Sequence, residues 1–364
     1  MKERVPTTTS EPRLVQGGLA SFAALREAWD ELMLRTPSPF LTHAWLSAWW
    51  QEYGRGTPVC ATRTEDGRVT AAVLLGRRRR RLAAPVDLHS GDWDAVTADD
   101  AARTALWRQV GAELGGPRIT LEALHEDAAA AAEAGLGAAG YRCFRSVTTE
   151  SPYLELPESL DALLAGRSQN LRQQWRRRDR ALQKQGVVRF RTTTGGEDWE
   201  RDLETFLRLE ASGWKARGGT AILSDPRAAR LYRAFCRDAA EQGWLRLYVL
   251  ELDGELIAGD LGCAIGGVGF LIKTAFDEDR GRLSPGLVLR GHVLAASIEE
   301  GLRGYDFLGG PDDYKVRWTD TVRPRLTVDA FRGPAAGAAS ALQALKPVAK
   351  QARARWRALR RRPD

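Results

Sequence analysis

Histidine and methionine are scarce in this sequence, and its four cysteines, at positions 60, 143, 236 and 263, are scattered. No Cys-x-x-Cys pair occurs, so the spacing offers neither a zinc site nor a disulfide framework, and buried reduced thiols are expected. The four histidines, His43, His89, His125 and His292, are too dispersed to mark a metal centre. Gly-x-x-x-x-Gly-Lys-Ser/Thr, Gly-x-Ser-x-Gly and His-Glu-x-x-His are all absent, which leaves ATPase and hydrolase readings without support. No window approaches the roughly 20 apolar residues that span a bilayer. Met1–Thr8 has no apolar stretch and no small-residue cleavage site, so nothing marks the chain for secretion and a cytoplasmic location is expected.

What is present is globular: 364 residues, 43% hydrophobic and 28% charged, enough for two cores of ordinary size. The formal charge of +7 is local. Residues 331–364 carry nine basic side chains against Asp364, which leaves the body near neutral and without a global field for polyanions. The expected division is 13–150, 151–331 and a basic helical tail, 332–364, whose apolar contacts Leu342, Leu345, Val348, Trp356 and Leu359 suit weak docking on an anionic membrane as well as a soluble appendage.

Periodicity supplies the elements. Phe22–Leu34 repeats with helical spacing and stops before Pro37 and Pro39; Thr42 caps a run in which Trp45 and Trp49 share a core face. Thr57–Thr64 and Arg68–Leu75 alternate as a hairpin around Glu65-Asp66-Gly67, and Arg77–Arg81 ends the second strand. The loop His89-Ser90-Gly91-Asp92-Trp93-Asp94 reads equally as a capping loop and as a substrate contact. Arg167–Gly186 is a basic helix with Leu171, Trp175 and Leu182 on its packed face, its arginines either solvated or set against RNA. Helices over Asp198–Ala216 and Arg227–Gly243 precede a meander, Leu245–Leu252, Glu255–Ile265 and Val268–Phe276. Then come a helix from Pro285, a strand at Tyr305–Leu308, a short helix near Pro311–Trp318 and a strand Arg325–Phe331. This order predicts an α/β (α+β) fold of two tandem domains, each a mostly antiparallel sheet flanked by helices.

Ser284 suits a helix N-cap and Pro285 its first position. Such a helix start reads as an ordinary capped helix or as an anion site, which Arg280, Arg282 and Arg290 would supplement. Beyond it, Asp306, the Gly309-Gly310 pair, Tyr314 and Lys315 place an acid, a close-approach backbone, a phenol and an ammonium together.

Taken in order, Leu209–Lys215, Gly218-Gly219-Thr220, Lys273–Asp277, Ser284-Pro285-Gly286, Asp306–Gly310 and Tyr314-Lys315-x-x-Trp318 resemble the CelD/BcsL-like branch of the GNAT superfamily, over roughly residues 151–330. The resemblance implies a GNAT-like fold for both domains and an N-acyltransferase that moves an acyl group from acetyl-CoA or another acyl-CoA to an amine on a small metabolite or sugar. It puts the donor phosphates at Arg280, Arg282, Ser284 and Gly286. The chain departs from the usual Arg/Gln-x-x-Gly-x-Gly/Ala by offering Arg282-Leu283-Ser284-Pro285-Gly286, where proline removes one backbone donor. The tandem arrangement, the basic helix and the aromatic-Lys-x-x-aromatic motif are also similar to the FemABX-like transferases, which use aminoacyl-tRNA; that likeness gives Lys315 the reacting carbonyl or a tRNA phosphate to steady. A third reading keeps the fold as a non-catalytic, envelope-associated binding protein.

Acyl transfer needs a proton acceptor for the amine, donors for the oxyanion and a proton for the leaving group. The roles that follow are Tyr314 as the acid, Lys315 as the electrostatic stabiliser, and Asp277 or Asp306 as the base or amine-orienting group. Trp214, Lys215, Lys273, Gly309, Gly310 and Trp318 are expected to hold the acceptor, with no metal involved.

Overall fold

The structure, a computed structural model, describes residues 13–213 and 217–339. Residues 1–12, the expected acceptor residues Trp214 and Lys215, and the tail from 340 onward lie outside those residues. The chain runs β1 (Arg13–Gly17), α1 (Leu19–Ala23), α2 (Arg26–Met33), α3 (His43–Tyr53), β2 (Thr57–Glu65), β3 (Arg68–Arg78), β4 (Arg81–Ala83), β5 (Val96–Thr97), α4 (Asp100–Gln109), β6 (Arg118–Leu124), α5 (Glu126–Ala138) and β7 (Arg142–Glu155). It continues with α6 (Leu160–Ala165), α7 (Gln169–Gln183), β8 (Val188–Thr193), α8 (Trp199–Glu210), α9 (Pro226–Glu241), β9 (Leu245–Leu252), β10 (Glu255–Ile265), β11 (Val268–Phe276), α10 (Pro285–Glu299), β12 (Gly304–Asp306), α11 (Asp313–Val316) and β13 (Val322–Phe331).

Local chemistry sets the helix starts. Thr42 Oγ1 accepts the Trp45 N–H at 3.1 Å and opens α3; Ser168 Oγ accepts the Leu171 N–H at 3.3 Å and opens α7; and Asp225 accepts the Arg227 N–H at 2.9 Å, with Pro226 in the first turn of α9. Leu171, Trp175 and Leu182 are buried, which turns the other face of α7 and its arginines outward. The hairpin and the meander form with the expected turns, and Arg79 in the left-handed region (φ 54°) folds the arginine run back as the extra strand β4.

One sheet carries the fold, in the order β1-β2-β3-β4-β6-β13-β7-β12-β11-β10-β9-β8. Among the described residues every pairing is antiparallel except two: β4 with β6, joined through α4, and β11 with β12, joined through α10. The fold is thus mixed α/β and repeats one plan, antiparallel strands leading into a helical crossover, in each half. The expected boundary at 150/151 falls inside β7, whose first part pairs with β13 and whose last residues, Tyr153–Glu155, pair with β12. Strand β13, the last in sequence, inserts between β6 and β7 in the first half. Each half therefore ends its chain in the other's sheet.

A second tie is hydrophobic. Trp45 of α3 packs edge-on against Tyr232 and Phe235 of α9, with ring centroids 5.7 and 5.2 Å apart. Burying such a side chain stabilises by about 4–6 kcal/mol on area grounds, so the two halves share a core rather than merely touch. Among the described residues no helix is long and apolar enough to cross a membrane.

Candidate active site

Strands β11 and β12 pair only from Val268–Phe270 to Gly304–Asp306. Beyond that point β11 runs on to Phe276 along β10, while the chain after β12 turns away through Leu308 and Gly309, both with positive φ (51° and 60°). The parted strands leave a cleft of about 650 Å³ between the exposed edge of β11, the start of α10 and the segment 307–318.

The start of α10 differs from the expected cap in one respect. Ser284 is left-handed (φ 56°, ψ 49°) and its side chain makes no capping bond; instead its carbonyl accepts from Leu287 and Val288. Pro285 takes the first position as expected, and Ser284 and Gly286 face the cleft at the positive end of the 15-residue helix. The helix is buried on more than one face. Val288, Leu289, Val293 and Leu294 pack into a core behind the cleft, and Arg290 is buried with them.

Arg290 lies on the floor. Its Nη1 meets Asp260 Oδ2 at 2.8 Å and the Tyr305 hydroxyl at 3.0 Å, and its guanidinium sits 5.6 Å from the centre of the Phe307 ring. Burial opposes its charge, but Asp260 and the neighbouring phenols outweigh this and keep it a cation. The sequence carries one sign of this pair: Asp260 is the lone acid in the otherwise apolar stretch Ile257–Ile265.

Lys315 is buried, its ammonium donating to the carbonyls of Leu308 (2.8 Å) and Gly310 (3.1 Å) and pairing with Asp312 at 3.0 Å. Those three partners fix the turn at Gly309, where a Cβ would stand 3.2 Å from Nζ. Burial lowers the Lys315 pKa, with Asp312 opposing. Tyr314 stands at the mouth of the cleft, 42% exposed. Burial raises its pKa above the ordinary phenol value, against Arg290, so it keeps its proton at neutral pH. Trp318 is fully buried against the cleft, and Lys273 lines it from β11.

The structure therefore gathers Ser284, Gly286, Lys273, Gly309, Tyr314, Lys315 and Trp318 around one cavity. Gly310 contributes its carbonyl to the Lys315 clamp. Other expected residues lie elsewhere. Asp277 sits on the turn after β11, held by Arg280 at 3.3 Å and by the Asp279 N–H at 3.0 Å. Arg280 is also paired with Glu255, and Arg282 is exposed, its carbonyl bound by Arg178. Asp306 is buried away from the cleft, where it accepts from Arg325 (2.9 Å), Ser151 (2.6 Å) and the Leu308 N–H (2.8 Å). Its role there is to tie β12 to β13.

At the corresponding place in the first half the chain bonds across the gap. The N–H of Trp93 bonds to the Ala123 carbonyl beside β6 at 3.0 Å, and Trp93 and Trp107 are buried together. Helix α4 begins with Asp99 and Asp100, whose carboxylates already occupy its positive end.

Residues 169–316 match the family model of an acetyltransferase (GNAT) domain. The match begins at α7 and ends at α11, so the whole cleft except Arg317 and Trp318 lies within it. Among solved structures, the chain is similar to FemX (14% identity, 84% of this chain and 95% of that one, TM-score 0.58). It is also similar to the C-terminal domain of a putative lysylphosphatidylglycerol synthetase from Agrobacterium fabrum (16%, 89% and 96%, TM-score 0.55). A third is a conserved protein of unknown function from Bacteroides thetaiotaomicron (14%, 85% and 97%, TM-score 0.57). At these identities the likeness is one of fold. No curated protein sequence matches the chain.

Proposed function

We propose that this protein is an acyltransferase that moves an acyl group from acyl-CoA to an amino group on a small metabolite or a sugar. The observation that carries the reading is the parting of β11 and β12 opposite the start of α10, inside the segment that matches the GNAT model. The N–H groups from Gly286 onward and the helix dipole offer a place for the donor's phosphates, and the open edge of β11 offers backbone groups to its acyl arm. The amine nitrogen bonds to the carbonyl carbon, the carbon–sulfur bond breaks, and Tyr314, protonated at neutral pH, gives its proton to the departing thiolate.

A specific observation favours a second donor, aminoacyl-tRNA. Arg178 Nη1 donates to the Arg282 carbonyl at 2.7 Å, fastening α7 to the turn that opens α10. The same helical segment exposes Arg177, Arg180 and Lys184, basic groups of the kind that a polyphosphate donor would meet. The CelD/BcsL-like branch remains the resemblance stated from the motifs.

Isothermal titration with CoA and acetyl-CoA, beside a gel shift with bulk aminoacyl-tRNA at two salt concentrations, separates the donors. Saturable CoA binding that Gly286→Asp abolishes, by setting a carboxylate at the helix start, supports the first reading. Absence of CoA binding with salt-sensitive tRNA binding selects the second.

A further inference from the structure

The first half bonds across the gap at its own crossover, yet its loop between β4 and β5 reaches the cleft of the second half. Gly91 packs against the cleft wall, where a Cβ would meet Phe40 at 2.6 Å and Leu308 at 3.3 Å. Two residues earlier, His89 meets Tyr232 of α9 edge-on, the rings 5.7 Å apart. The Lys273 ammonium lies 5.6 Å from the centre of the same Tyr232 ring. Lys273 and Glu210, which line the cleft, are also charged neighbours of His89.

Three side-chain atoms, His89 Nδ1 and Ser90 Oγ on this loop and the Tyr232 hydroxyl on α9, are buried without a hydrogen-bond partner among the described residues. Native interiors leave few such atoms, and neighbouring ones call for a polar group from outside the fold. The proton on the imidazole can be placed. Tyr53 of α3 donates its hydroxyl hydrogen to Asp225 Oδ2 at 3.1 Å, so the contact between its oxygen and His89 Nε2, at 3.3 Å, is donated by the imidazole. That puts the hydrogen on Nε2 and leaves the lone pair on Nδ1.

We propose that the polar site marked by His89 and Tyr232, next to Lys273, receives the nucleophilic group of the acceptor, a primary amine, and that His89 Nδ1 takes the proton this amine loses. The assignment rests on the acyl-transfer reading above and completes its proton balance. As the C–N bond forms and the C–S bond breaks, one proton passes from nitrogen to Nδ1 and another from Tyr314 to sulfur; the imidazolium and the phenolate then exchange with solvent. Tyr53 and Asp225 are positioning residues that hold the tautomer. The charged groups facing the imidazole are Asp87 on its own loop, Asp225 before α9, Glu210 on α8 and Lys273 on β11. Burial, followed by Lys273, lowers the His89 pKa below its ordinary value, so the base is neutral at neutral pH.

The test has two parts on the full-length protein. In 15N-histidine spectra, assigned with His89→Gln, the expected signal at pH 7 is a neutral imidazole protonated on Nε2, with that preference lost in Tyr53→Phe. A charged ring, or one protonated on Nδ1, overturns the proposal. In acetyl-CoA turnover with a panel of amino acids and amino sugars, His89→Gln keeps a donor for Tyr53 but removes the base. It is expected to lower kcat about 10²–10⁴-fold and to abolish the acid limb of the pH profile, with acetyl-CoA affinity unchanged. Unchanged kcat and pH profile overturn the proposal. If the wild type transfers nothing from acetyl-CoA, the donor reading fails, and the tautomer alone then decides for or against His89.

Discussion

Arg290 and Asp260 form an ion pair at 2.8 Å under the cleft floor, with side chains 3% and 0% exposed. Two charges withdrawn from water compensate each other, and removing one strands the other. Arg290→Met is expected to cost about 3–5 kcal/mol in urea unfolding. Arg290→Met combined with Asp260→Leu should cost less than the sum of the single changes, since neither then leaves a lone buried charge.

Tyr314→Phe removes one oxygen at the mouth of the cleft and little packing. The expected result is a fall in kcat of about 10²–10⁴-fold with CoA affinity within twofold of wild type, measured by thiol release and by titration. An unchanged kcat would remove Tyr314 from the chemistry.

Lys315→Met leaves the Leu308 and Gly310 carbonyls and the Asp312 carboxylate without their shared donor. A loss of about 1–3 kcal/mol per buried acceptor sets the scale. The expected readouts are lower stability and faster amide hydrogen exchange confined to residues 307–318, with the rest of the sheet protected as in wild type.

His43 carries a pH prediction. Its ring is buried, stacked on Phe22 at 4.2 Å and 3.0 Å from the Phe22 carbonyl, and burial lowers its pKa. Below the ordinary histidine value the unfolded chain binds a proton that the folded chain refuses, so stability falls as pH drops through that window. His43→Gln has no such proton. The stability of the wild type relative to His43→Gln is therefore expected to decline between pH 7.5 and 5.5, by at most about 1.4 kcal/mol per pH unit.

Much of this protein was legible because it is local. Thr42 capping Trp45, the stripe of Leu171, Trp175 and Leu182, and the meander turns all act within a few residues. Tyr314, Lys315 and Trp318 were marked by short spacing, and the structure brings them to one cavity. Other features depend on partners far away in sequence. Nothing near Asp306 announces Arg325 on an exchanged strand, and nothing near His89 announces Tyr53 or Tyr232. Strands β4 and β5, of three and two residues, are too short for a period to register. The left-handed Ser284 followed from the shape of the turn, although Ser-Pro reads as an ordinary cap.

The exchange of β7 and β13 predicts one unfolding transition. Tryptophan fluorescence and far-ultraviolet circular dichroism should report the same urea midpoint, since α3 and α9 share a core and neither sheet is complete alone. Arg325→Met should lower that midpoint for both probes together, through a stability loss of about 3–5 kcal/mol, by stranding the buried Asp306.

The same exchange bears on biosynthesis. During synthesis the first half emerges with a slot between β6 and β7 that stays open until Val322–Phe331 has left the ribosome. Domains usually fold in the order they are made, at roughly 5–20 residues per second. Here the half made first waits for the strand made last, so its unpaired sheet edges are exposed for most of translation. A nascent chain of this kind needs shielding in proportion to that delay, and slowing translation after Glu155 would lengthen its exposure without altering a single residue.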